Sequence, residues 1–136
     1  MARRSARAAA VQMVYENLLG GDGGDETLTG LIEFEPEEDD LKFIREIVDG
    51  VTENAEKIDE EIKQYLTGWT IDRIARVDLS ILRVAVFEIE NEQDDTPDSV
   101  ICNEAVTLAQ RFSTENSGRF VNGVLGAFVR ARQNNA

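Results

Sequence analysis

The 136-residue sequence contains no histidine. Imidazole is therefore excluded both as a general base and as a metal ligand. A single cysteine, Cys102, excludes a disulfide within the chain and suits a reducing compartment. No apolar stretch is long and charge-free enough to cross a bilayer. The opening M-A-R-R-S-A-R lacks the apolar segment of a secretory signal, so a soluble, cytoplasmic protein is expected. There is no P-loop, no G-x-G-x-x-G, no EF-hand loop, and no Cys–His or Ser–His pair. Carboxylates are plentiful, but they stand in solvated runs that give no cause for a raised pKa. These absences predict a protein that is not an enzyme and holds no cofactor or metal. Alternating strand patterns and internal repeats are absent as well.

What is present is acid, unevenly spread. Residues 1–19 carry a net charge of +2, residues 20–66 of −12 and residues 67–136 of −3, giving −13 for the chain. Such a chain repels nucleic acid at long range, so a nucleic-acid site must be a local basic patch.

The chain is organised around residues 76–89, R-V-D-L-S-I-L-R-V-A-V-F-E-I. The apolar pattern runs back through Ile74 and Ile71 and covers most of a helical circumference, as in a core helix. Two acids interrupt the apolar arc, Asp78 and Glu88. An unpaired buried carboxylate costs on the order of several kcal/mol. Each therefore has either a structural partner or a face turned to a binding partner.

Around this helix the spacing predicts others. A first helix over 3–19 keeps Ala6, Ala9, Ala10, Met13, Val14 and Leu18 in register and stops at Gly20-Gly21. A glycine-rich, then acidic linker follows, with a short helix near 27–33. Asp39 or Asp40 caps the next helix, with Leu41, Ile44, Ile47, Val48 and Val51 inward. Asn54 caps another with Ile58, Ile62, Tyr65 and Leu66 inward. Gly68 ends it, Trp69 wedges into the junction and Thr70 caps the central helix. Pro97 marks a turn before a helix over 99–112 that buries Ile101, Ala105, Leu108 and Phe112. The last helix follows S-T-E-N-S-G and buries Val121, Val124, Leu125, Phe128 and Val129, with Gly123 and Gly126 allowing close approach. The expectation is an all-α single domain of about seven helices.

Two clusters suggest binding. Arg3, Arg4 and Arg7 open the first helix, the end where the helix dipole disfavours cations, so they read either as a solvated basic terminus or as an arm that orders on an anion. Gln12 and Tyr15 on the same helix can face outward. S-G-R-F-V-N-G, residues 117–123, places Arg119, Phe120 and Asn122 at the start of the last helix. An arginine beside an aromatic suits unstacked single-stranded RNA, although Phe120 fits the core equally well.

These motifs resemble the NusB family of transcription antitermination factors. The resemblance is carried by R-R-S-A-R-A-A-A-V-Q-M-V-Y at the start, by the central helix, by P-D-S-V-I-C-N-E-A-V-T-L-A-Q-R-F, and by S-G-R-F-V-N-G-V-L. Four motifs in the right order cover the start and the whole second half, while 20–40 matches nothing in detail. The resemblance implies two packed helical sub-bundles and no enzymatic activity. It implies binding to boxA RNA jointly with NusE, a small-subunit ribosomal protein, within the RNA polymerase antitermination complex of ribosomal RNA operons. By the same resemblance, Arg3, Arg4, Arg7, Gln12, Arg119 and Phe120 form the RNA surface, and Tyr15, Asp78 and Asn116 the NusE surface. Ser5 departs from the pattern, standing where the family often has another basic residue.

Two other readings are compatible with the residues. NusB-like domains also precede the catalytic domain of some RNA cytosine methyltransferases, which would require a Rossmann-like domain and a cysteine nucleophile beyond these 136 residues. A helical adaptor or homodimer, with the arginine arm holding the interface, is the third.

Overall fold

A computed structural model describes residues 2–20, 37–91 and 95–134, with the side chains of residues 2 and 3 excepted. Six α-helices make up the described residues: α1 Ala2–Leu18, α2 Glu38–Glu53, α3 Ala55–Lys63, α4 Arg76–Glu90, α5 Asp98–Phe112 and α6 Glu115–Asn134. A short 3₁₀ turn, Ile71–Arg73, precedes α4. The helix expected near 27–33 lies outside the described residues.

The central helix is the axis. Eleven of its residues are buried, Asp78, Ser80 and Glu88 among them. It packs against all five other helices. On one side α1 and α2 pack on each other and on α4. On the other, α5 and α6 form the most extensive pairing of the molecule and close over α4. The result is two helical groups sharing one core helix. Ile81, Leu82, Val84 and Ile89 are each at most 2% exposed, and a fully buried side chain of this size contributes about 1.5–3 kcal/mol.

Several helix ends differ from their sequence-based expectation. Glu37, rather than Asp39 or Asp40, is the N-cap of α2. Asp40 instead completes a capping box, accepting the Glu37 backbone N–H at 3.2 Å. Asn54 is at once the C-cap of α2 and the N-cap of α3: its carbonyl accepts the Ile58 N–H at 2.9 Å, while its side chain turns back to donate to Gly50 O at 2.8 Å. The helical pattern through Ile71 and Ile74 is broken, because Ile74 is extended (φ −74°, ψ 138°) and still buries its side chain. Thr70 therefore precedes the 3₁₀ turn, and α4 starts at Arg76 after Ala75. Trp69 sits at the junction, as expected, but on its surface. It is 55% exposed and lies edge-on to Phe120.

Helix α6 begins earlier than S-T-E-N-S-G suggests. Thr114 accepts the Ser117 N–H at 3.0 Å, as an N-cap side chain does, so Glu115–Gly118 are already helical. The close approaches also fall elsewhere. A Cβ on Gly123 would meet nothing, and one on Gly126 only the end of the Arg130 side chain. Gly50 is the tight position, where a Cβ would run into the Phe87 ring at the α2–α4 crossing.

Candidate functional site

The first basic cluster is divided by the fold. Arg3 lies in the first turn of α1. Arg4 points outward, its side chain 64% exposed, and its Nε and Nη2 donate to the Glu104 carboxylate of α5 at 3.0–3.1 Å. Arg7 is buried, which corrects its place on an outward basic arm. Its Nε and Nη2 donate to Glu88 at 2.8–3.1 Å, and its guanidinium stands 5.6 Å from the Phe43 ring centre. Glu88 is fully buried. Of the two acids interrupting the α4 arc, Glu88 is thus half of an internal ion pair, a bidentate arrangement that satisfies both charges.

Arg4, Gln12 and Tyr15 fall within an arc of roughly 80° on α1 at the helical repeat of about 100° per residue. Gln12 and Tyr15 are half-buried on this face. On α6 the same repeat places Arg119, Asn116 and Phe120 on one side within roughly 100°. Arg119 and Asn116 are exposed, and Phe120 is half-buried against the core.

Asp78, Asn116 and Phe120, far apart in sequence, meet in one groove of about 360 Å³. Trp69, Arg73, Ile74, Ala75, Thr114 and Ser117 complete it. Its wall is the Trp69–Phe120 pair, with ring centres 6.3 Å apart at 65°. Asp78 sits in the first turn of α4, where a carboxylate faces the positive end of the helix dipole. The Ser117 hydroxyl donates to its Oδ2 at 3.0 Å. Burial pushes the Asp78 carboxyl above its ordinary value, and the Ser117 hydrogen bond partly opposes that shift.

Sequence reasoning missed Trp69, Arg73 and Ser117 as groove residues. Ser117 opens the S-G-R-F-V-N-G binding motif and belongs to the capping segment before α6, but neither reading gives its hydroxyl a role. The signal available for Trp69 was its place between Gly68 and Thr70, where a large aromatic follows a helix stop. Glu104, which engages Arg4, carried no signal at all. Among the described residues no three Cys, Asp or Glu side chains converge as metal ligands. Within them, no helix is long and apolar enough to cross a membrane.

This geometry is that of an all-helical protein with a partly apolar groove at one junction and cations displayed on separate helix faces, suited to macromolecular partners. The description "NusB family" matches residues 4–130. The transcription antitermination protein NusB of Acetivibrio thermocellus is 39% identical over 97% of this chain and 91% of its own length. That of Symbiobacterium thermophilum is 42% identical over 96% of this chain and 90% of its own. The structure of T. maritima NusB superposes with a TM-score of 0.82, at 32% identity, over 94% of this chain and 90% of that one. NusB in a complex of antitermination factors NusB and NusE with double-stranded RNA superposes with a TM-score of 0.81, at 28% identity, over 96% and 97%. The chain belongs to the NusB family.

Proposed function

We propose that the chain is a non-enzymatic transcription antitermination factor that binds boxA RNA together with NusE, supporting transcription of ribosomal RNA operons. The observation that carries this reading is the family match across nearly the whole chain, joined to its likeness to a NusB that binds NusE and RNA. RNA contacts fall to Arg3, Arg4, Gln12 and Arg119, with Phe120 at the edge where α6 meets the groove. NusE contacts fall to Tyr15 on α1 and to Asp78 and Asn116 in the groove.

The charge distribution supports a joint mode. The chain is net −13, so RNA gains from it only locally, and Glu104 already neutralises Arg4 in the free protein. A phosphate must displace that carboxylate or share the guanidinium with it. A basic partner that fixes the RNA alongside offsets this cost. The test is titration of boxA RNA and a scrambled RNA with the chain alone, with NusE alone and with both. Joint binding tighter than either component, with preference for boxA, is the expected outcome. Equal affinity for both RNAs by the mixture would refute the reading.

A further inference from the structure

Helix α6 opposes the charge of the chain. It has three arginines, Arg119, Arg130 and Arg132, and one acid, Glu115 at its start, in a sequence of net charge −13. Its buried stripe, Val121, Val124, Leu125 and Phe128, packs on α4 and α5. The opposite face is uncovered among the described residues. At about 100° per residue, Arg119, Gly126 and Arg130 fall within roughly 40° of one another there, with Asn122, Gly123 and Gln133 beside them. All of these are exposed except Gly126, which is half-buried. The chain has 27 acids to 14 bases, so a surface cation readily meets a carboxylate. All three lysines do so within their own helix. Arg119 and Arg130 make no ion pair and donate no hydrogen bond among the described residues. Arg130 is nevertheless placed. Its guanidinium lies back along the helix over Gly126, where a Cβ would stand 3.2 Å from Nη1 and 3.9 Å from Cζ. The missing side chain makes room for it. Arg132, by contrast, turns away to stand over the Phe128 ring, 5.7 Å from its centre. Gly126 and Arg119 are separated by about 10 Å of helix, at about 1.5 Å per residue.

We propose that this face of α6 binds the sugar–phosphate backbone of RNA flanking boxA, with Arg119 and Arg130 each taking a phosphate of one strand. The proposal rests on the boxA reading, which assigns Arg119 to the RNA surface and so brings the strand to the start of α6. A guanidinium donates and never accepts, and its planar fork matches phosphate oxygens two at a time. Both guanidiniums are free to do this, whereas Arg4 must first loosen its hold on Glu104. Between them the face offers only Asn122, Gly123 and Gly126, and a Cβ on Gly123 would meet nothing, so a strand can lie close to the helix. A protein partner fits less well, because no large apolar or aromatic side chain stands within this arc to anchor one. Phosphate contacts position a strand without reading its bases, so the flank is bound whatever its sequence. Gly126 is a positioning residue, acting through the Arg130 guanidinium that it accommodates.

The test is titration of the chain, with NusE present, by three RNAs: minimal boxA, and boxA extended by several nucleotides of scrambled sequence at its 5′ or its 3′ end. One extension should bind the wild type about 3-fold or more tightly than minimal boxA, with a log–log salt slope steeper by about 0.7. Arg130→Gln should cancel both gains and leave minimal boxA unchanged. Arg119→Gln should weaken all three RNAs. Gly126→Leu keeps every charge but fills the space under the Arg130 guanidinium, and should reduce the gain as well. Lys42→Gln, an equal loss of charge on α2, should change nothing. Melting temperatures of Arg119→Gln and Arg130→Gln should match the wild type, since neither side chain has a partner to lose among the described residues. A wild type that does not bind boxA overturns the functional reading and the flank with it. Binding of boxA to which neither extension adds, or a gain that survives Arg130→Gln, overturns the flank alone. Equal losses in Arg130→Gln and Lys42→Gln would reduce the effect to net charge and also overturn it. Weaker NusE binding in Arg130→Gln, with the RNA gain intact, would give this face to the protein partner instead.

Discussion

Arg7 shows how far one side chain's role depends on roughly 40–60° of helical phase. It shares the first two turns of α1 with Arg3 and Arg4, yet it faces α4 and pairs with the fully buried Glu88. Arg7→Ala is expected to destabilise the protein by about 3–5 kcal/mol, because it removes the bidentate cation from a fully buried carboxylate. Denaturant melts should show the loss, and replacing both partners with apolar residues, Arg7→Met with Glu88→Leu, should recover most of it. RNA affinity per folded molecule should stay unchanged; a fall in affinity at full stability would return Arg7 to the RNA surface. Glu90 makes a separate prediction. It lies at the end of α4, where burial and the hydrogen-bonded Glu61 carboxyl of α3 push its pKa to about 7, against the opposing pull of Lys57 and Arg132. The folded state thus holds this proton more tightly than the unfolded chain does. Its stabilising contribution is fully present below the ordinary value of 4.5 and is lost as pH rises through about 7. Glu90→Gln should flatten the stability profile between those limits; an unchanged profile would mean that neither burial nor Glu61 raises the Glu90 pKa in the folded state.

Among the helices, the tightest restraint is the crossing of α2 on α4. Gly50 lets the Phe87 ring lie against the α2 backbone, so Gly50→Ala should cost about 1–3 kcal/mol through overpacking. Gly123 on α6 has open space at the same atom, and Gly123→Ala should instead stabilise by about 0.4–1 kcal/mol. Chemical denaturation of the two variants side by side checks the pair; equal effects would contradict the packing. The start of α6 has two faces. Phe120 touches Trp69 and the core, while Arg119, one residue earlier, is exposed. The buried stripes of α2, α3, α5 and α6 were legible from spacing, because a helix in a bundle must repeat its apolar residues every 3.6 positions. Helix ends were less so. Caps at Glu37 and Thr114, and the extended Ile74, depend on where neighbouring backbone satisfies the free N–H groups, which local sequence does not state.

For the molecule as a whole, charge and exposure set the RNA expectation. With Arg7 internal, the proposed RNA surface keeps Arg3, Arg4 and Arg119 as its arginines. At about 0.7 per contact on a single strand, the log–log salt slope should be close to about −2. Arg4→Ala should bring it about 0.7 nearer to zero and weaken boxA and scrambled RNA alike, because a phosphate contact carries no sequence. A slope that is flat from low to moderate salt would remove the electrostatic component. Glu104→Gln, which frees Arg4 from its carboxylate, should raise RNA affinity in the same measurement.

The sequence by itself determined the class. No histidine, one cysteine, an apolar core helix, the buried stripes of the helices around it and four ordered motifs leave an all-helical, motif-defined binding protein. Composition and periodicity carry that information because they act residue by residue along one chain. Only the tertiary structure decided the fate of each charge. Asp78 and Glu88 look alike on the α4 arc, and what separates them is a third party: Arg7 of α1 for one, Ser117 of α6 and an open groove for the other. Such partners lie 81 and 39 residues away. Pairing at that range is set by helix packing angles and side-chain reach, which no local pattern encodes.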